Sequence, residues 1–170
     1  GTYLLAEAAR AAGVERLIYA SSNHAVGFTP LPMDDVVGDY EFPRPDTFYG
    51  FSKAASESLL SLYYDRYGLE SVCLRIGSYR ERPSDERSLW SWLSPGDCTR
   101  LVEAALSVPS PGFRVVWGVS ANTRARVSLD EATDIGYRPV DDAEDFASEL
   151  EDGQRAWSDL GGRYTDSDVT

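Results

Sequence analysis

Thr2-Tyr-Leu-Leu-Ala-Glu-Ala-Ala-Arg-Ala-Ala12, then Gly13, then Arg16-Leu-Ile-Tyr-Ala-Ser-Ser22, decides the fold. The first run is helical in period and composition, and Gly13 is a natural stop just beyond a helix end. After a short link the second run reads as a buried strand of apolar and β-prone residues. Helix, glycine and strand at this spacing make half of a βαβ unit, so a parallel sheet is expected. The pattern then repeats. A helix is expected from Tyr49 to Tyr67 with Gly68 as its stop, and a strand from Leu69 to Ile76. A helix capped by Asp97 should run to about Leu106, followed by a strand over Phe113 to Trp117. Two short helical segments are expected around Ser128 to Ile135 and Asp141 to Glu151. The fold class is therefore α/β: part of a Rossmann-like doubly wound parallel sheet with a small substrate-binding region. Residues 1–155 read as one domain and 156–170 as a polar, frayed tail.

In open α/β sheets, ligands bind outside the carboxyl ends of the strands. The first strand ends in the polar cluster Ser21-Ser22-Asn23-His24. Next comes a long proline-rich stretch from Phe28 to Phe48, of a length that is often functional. It leads into Tyr49-Gly50-Phe51-Ser52-Lys53, with Asp46 or Thr47 as the helix cap. Residues four apart share one helical face, so the Tyr49 phenol and the Lys53 ammonium can reach one space. A free phenol, with a pKa of about 10, is a poor base near neutrality. A nearby cation favours the phenolate, which can then take a proton from an alcohol. Lys53 is the only lysine of the chain, against fifteen arginines. The roles consistent with this set are substrate positioning for Ser22, general base for Tyr49 and tuning of that base for Lys53.

At 170 residues the chain can bury a real core, and its apolar content of 42% excludes a disordered chain. The net charge of −12 argues against nucleic acid and anionic membranes as partners. No run approaches the roughly 18 apolar residues of a membrane span, and no signal peptide opens the sequence. A cytoplasmic location is expected. Acidic enrichment with lysine depletion also predicts a protein suited to high salt, where a Debye length of about 3 Å at 1 M screens self-repulsion. Cys73 and Cys98 make no disulfide framework; Cys73 reads as a buried small hydrophobe. With one histidine and no carboxylate or cysteine set at ligand spacing, no metal site is expected.

Tyr19-Ala-Ser-Ser22 followed by Tyr49-Gly-Phe-Ser-Lys53 resembles the extended short-chain dehydrogenase/reductase family, its NAD-dependent epimerase/dehydratase group. Ser21-Ser-Asn-His24, Arg75-Ile-Gly-Ser78, Trp90-Ser-Trp92, Val116-Trp-Gly-Val-Ser-Ala-Asn122 and Gly136-Tyr-Arg-Pro139 narrow the resemblance to the family members that oxidise uronic acids. It covers residues 1 to about 150. The resemblance implies NAD as cofactor and oxidation of glucuronate or galacturonate at C1 to the aldarolactone. It implies Ser22, Tyr49 and Lys53 as catalytic residues, with Lys53 also bonding the nicotinamide ribose. Ala20, Ser21, Tyr49, Lys53 and Ile76 would line the nicotinamide side. Ser22, Asn23, His24 and Ser78 would contact the sugar, and Arg87 would bind its carboxylate. By sequence alone Arg75, Arg80, Arg82 and Arg87 are all candidates for that contact, and His24 has a structural reading beside the ligand one.

Two alternatives stand beside this reading: a nucleotide-sugar epimerase or dehydratase of the same fold, and a catalytically silent dehydrogenase-like module. The Gly-rich turn that holds the dinucleotide pyrophosphate in this fold has no counterpart in the sequence. The chain alone is therefore expected to bind NAD weakly and turn over little. The first strand is expected to present an open edge, and the chain to assemble with itself or with a complementary segment.

Overall fold

The computed structural model describes residues 1–150 and 157–167. Helix α1 (Thr2–Ala11) leads through Gly13, whose φ of 69° is left-handed, into strand β1 (Arg16–Ser22). A 3-10 turn (Asn23–Val26) and the proline-rich loop connect β1 to α2 (Phe48–Tyr67). Of the two expected caps of α2, Thr47 is the one used: its hydroxyl accepts from the Gly50 N–H, and Gly68 closes the helix at φ 70°. Strand β2 (Glu70–Ile76) follows, then the two-residue β3 (Ser78–Tyr79), α3 (Ser88–Ser91) and β4 (Trp92–Leu93). Then come α4 (Pro95–Ser107), β5 (Phe113–Gly118), α5 (Asp130–Asp134) and two further 3-10 segments, Ala143–Glu149 and Gly162–Thr165.

The main sheet is parallel throughout, in the order β1-β2-β5, with Ala20 opposite Leu74 and Leu74 opposite Val116. Side chains alternate across it. Val72, Leu74 and Val116 face α4 and α5, packing with Leu101, Ala105, Ala132, Ile135 and Tyr137. Cys73 and Val115 face the other way, onto Ala6, Ala9, Leu60 and Tyr63 of α1 and α2. A third cluster, built on Trp117 with Val26, Val37, Trp90, Val119, Val127 and Leu160, lies beyond the sheet's carboxyl end. Among the described residues β1 pairs only with β2, and its other edge is open, as expected.

Three expectations are corrected. Ser94, not Asp97, caps α4; its hydroxyl accepts from the Asp97 N–H. Asp97 lies one turn in, fully buried, with its carboxylate accepting from the Val140 and Asp141 N–H groups. The segment at 143–149 is a 3-10 helix rather than an α-helix; its expected end at 151 and the expected domain boundary at 155 fall outside the described residues. Residues 157–167 are not a frayed tail. Leu160 is buried in the third cluster, and backbone bonds from Leu31 to Ser158, from Leu160 to Thr29 and from Gly161 to Gly27 strap the segment down. One large apolar side chain and a run of main-chain bonds outweigh a polar composition.

Candidate active site

The carboxyl end of β1 delivers Ser21 and Ser22 with opposite fates. Ser21 points inward, and its hydroxyl donates to Glu57 Oε1 at 2.5 Å. Glu57 in turn holds Arg75, with Arg75 Nη2 to Glu57 Oε2 at 2.8 Å, both side chains almost fully buried. Arg75 also donates to the Asp39 carbonyl. This pair ties α2 to β2 beneath the site. Ser22 begins the 3-10 turn; its Oγ accepts from the His24 N–H at 3.2 Å and keeps its own proton to donate.

Helix α2 brings Tyr49 and Lys53 to the same place. Tyr49 is 53% exposed. Lys53 Nζ donates to the Ala20 carbonyl at 2.6 Å and sits 5.4 Å from the Tyr49 ring centre and 4.9 Å from that of Tyr19. The helix thus clamps its lysine onto the carboxyl end of β1 with the phenol beside it. Gly50 is required here, because a Cβ would overlap the His24 carbonyl. The His24 ring stands edge-on to Tyr49 at 5.9 Å and to Tyr164 at 4.8 Å, and its Nδ1 lies 2.6 Å from Asp46 Oδ2.

The four candidate arginines are sorted by their partners. Arg75 is committed to Glu57, and Arg82 pairs with Glu149 at the surface. Arg80 and Arg87 line a cavity of about 360 Å³ together with Ser78, Asp85, Trp157, Gly161, Arg163 and Tyr164. Arg87 is the inner one. Its Nη1 donates to Ser78 Oγ at 3.1 Å and its Nη2 to the Leu160 carbonyl at 2.8 Å, and the guanidinium lies over Trp90. Its Nε is buried with no hydrogen-bond partner among the described residues. Burial lowers the pKa of Arg87, a shift that Asp85, Asp46 and Tyr164 oppose.

Ser22, His24, Tyr49 and Lys53 are therefore grouped around the end of β1, and Ser78 and Arg87 line the adjoining cavity. Ile76, at the end of β2, sits opposite Ser22. Asn23 is buried, and its amide donates to the Leu160 carbonyl, so its side chain serves the strap. Sequence reading missed Asp46, which resembled a helix cap, and the contributions of Leu160, Gly161, Arg163 and Tyr164, which sit in a stretch that reads as solvated. Among the described residues no group of three or more His, Cys, Asp or Glu is placed to hold a metal. No helix among them is long and apolar enough to cross a membrane.

A parallel α/β sheet with a serine at one strand end, and a tyrosine and lysine one helical turn apart beside it, defines a Rossmann-like oxidoreductase-type site. The chain belongs to the NAD dependent epimerase/dehydratase family, whose model matches residues 1–91. It is 41% identical over 151 residues to the uronate dehydrogenase of Pseudomonas syringae pv. tomato, across 89% of this chain and 54% of that one. It is 37% identical over 165 residues to an NAD-dependent glucose-6-phosphate dehydrogenase of Haloferax volcanii, across 89% of this chain and 63% of that one. The crystal structure of uronate dehydrogenase from Agrobacterium tumefaciens superposes with a TM-score of 0.91 at 35% identity, over 99% of this chain and 65% of the other. The chain thus spans about half to two-thirds of the length of these relatives.

Proposed function

We propose that this chain carries the catalytic and sugar-binding part of an NAD-dependent dehydrogenase that oxidises a hexuronic acid, glucuronate or galacturonate, at C1 to the aldarolactone. The observation that carries the reading is the Arg87 guanidinium on the wall of a cavity whose Tyr164 packs on His24, which in turn packs on Tyr49. A guanidinium is the natural fork for a carboxylate. One N–H on each terminal nitrogen is held, by Ser78 and by Leu160, which fixes the plane and leaves the second N–H of each for a ligand.

Each residue then has a task. Tyr49, with the Lys53 ammonium beside its ring, takes the C1 hydroxyl proton as the C1 hydrogen leaves with its electron pair. Ser22 donates its free hydroxyl proton to the same sugar oxygen. NAD, when bound, supplies the acceptor for that hydride. The residues present fit its nicotinamide end: Lys53 spends one of three donors on Ala20 and keeps the rest for ribose hydroxyls, beside the exposed Ala20. The open β1 edge and the exposed Leu4 and Leu5 support pairing of this face with another chain or segment.

A second reading has its own support. Arg80, Arg87 and Arg163 all line the one cavity, more positive charge than a single carboxylate needs. A sugar phosphate would use it, in keeping with the Haloferax volcanii relative. The test is direct binding to the isolated chain, followed by titration calorimetry or NMR, with glucuronate and glucose 6-phosphate in parallel. Saturable binding of glucuronate alone supports the first reading, and preference for the phosphate replaces it with the second. Binding of neither overturns both.

A further inference from the structure

Asp46 carries a fully buried side chain in a molecule whose other acidic groups mostly face solvent. Three glycines from three parts of the chain make room for it. A Cβ at Gly27 or at Gly161 would overlap Asp46 Oδ2, and one at Gly50 would press on Oδ1 at 3.0 Å. The cage is closed by the bond from the Gly161 N–H to the Gly27 carbonyl at 2.8 Å. Inside it the two carboxylate oxygens have separate partners. Oδ1 accepts from the Thr47 hydroxyl at 3.1 Å, and Oδ2 faces His24 Nδ1 at 2.6 Å. The Thr47 oxygen is itself held by the Gly50 N–H, so the direction of its proton is set.

We propose that Asp46 is a positioning residue that fixes the tautomer of His24. An ionised carboxylate can only accept, so Nδ1 must carry the proton and Nε2 must carry the lone pair. Among the described residues Nε2 has no protein partner, and the imidazole side chain keeps 17% of its surface open. On a ring that stands edge-on to Tyr49 and to Tyr164, Nε2 is then an acceptor for a hydroxyl proton of the bound sugar. This deepens the sugar-acid reading above and rests on it for the identity of the ligand. It also accounts for the close approach of Gly27 and Gly161 to Oδ2. In Asp46→Asn, the Thr47 proton keeps the amide oxygen and turns the NH2 toward Nδ1. That reverses the tautomer and converts Nε2 from acceptor to donor.

His24 is the only histidine of the chain, so its ring nitrogens can be read without assignment ambiguity. The experiment is a long-range nitrogen–proton NMR spectrum of the full chain with labelled histidine, above the imidazole titration range. The expected result is a protonated Nδ1 and a bare Nε2 in the natural sequence, with the pattern reversed or mixed in Asp46→Asn. A protonated Nε2 in the natural sequence overturns the proposal without any variant, and so does an unchanged pattern in a folded Asp46→Asn. Gly161→Ala, at a φ of −70° that alanine accepts, should disturb the same nitrogens by displacing Oδ2; indifference of the ring to it also counts against the cage. Adding glucuronate should move Nε2 more than Nδ1. If the tautomer and its dependence on Asp46 hold but glucuronate moves neither nitrogen, the sugar-acid reading fails and the role of Asp46 stands.

Discussion

Replacing Arg87 with methionine should separate ligand binding from folding. Among the described residues the side chain makes two bonds, to Ser78 Oγ and the Leu160 carbonyl, and Nε has no partner. Burial disfavours its charge, as the lowered pKa indicates. Folding therefore gains by losing a desolvated charge and loses by giving up two hydrogen bonds worth about 1 kcal/mol each. The two effects oppose, and the denaturation midpoint should move by no more than about 1–2 kcal/mol of stability. Binding has no such compensation. A carboxylate on a guanidinium fork makes charge-assisted bonds of about 1.5–3 kcal/mol, so Arg87→Met should weaken glucuronate about 10- to 100-fold or more. Arg87→Lys restores a charge but not the fork, and should recover only part of the loss. The assay is calorimetric titration of glucuronate into each variant, with urea denaturation of the same samples. A folded Arg87→Met that binds glucuronate as the natural sequence does would refute the assignment of the carboxylate contact.

Three other expectations follow from the same structure. Glu57→Gln leaves the buried Arg75 without its counter-charge and turns one of the two acceptor oxygens shared by Arg75 and Ser21 into a donor, which should cost about 3–5 kcal/mol in urea denaturation; a loss under about 1 kcal/mol would show that water reaches the pair. Leu160→Ala empties a fully buried position under the strap and should cost about 2–5 kcal/mol, while exposing the cavity wall to proteolysis between 157 and 167; an unchanged midpoint would mean the segment does not pack there in solution. Burial pushes both cysteine thiols up, the fully buried Cys73 far more than the half-buried Cys98. Iodoacetamide should therefore label Cys98 first as pH rises, with Cys73 reacting only on unfolding, read by peptide mass; early labelling of Cys73 would contradict the packing of β2.

Much of the sheet was legible because its signals are local. The strands at 16–22 and 113–118 and the glycine-stopped helices each carry their own period and punctuation. Ser22, Tyr49 and Lys53 were legible for the same reason: one ends a strand and the other two lie one turn apart. The contacts that finish the site are long-range. Asp46 and His24 meet across a proline-rich loop with no periodicity. Asp46 beside Thr47 also looks like a cap, since both residue types cap helices. Leu160 is a single apolar residue in a polar stretch, and only the tertiary fold shows the pocket that receives it. The arginines show the difference most directly. Sequence offers Arg75, Arg80, Arg82 and Arg87 as equals, whereas Glu57 and Glu149 each claim one of them and the cavity receives the other two.

The central claim is that Tyr49 is the base of a uronate-oxidising site. The most direct measurement joins the chain to the part of the Pseudomonas syringae relative that it does not cover and follows NADH formation from glucuronate. The natural sequence should turn over, and Tyr49→Phe should lose about 10²- to 10⁴-fold in kcat while binding glucuronate with unchanged affinity. Equal turnover by Tyr49→Phe, or NADH formation from glucose 6-phosphate but not from glucuronate, would contradict it.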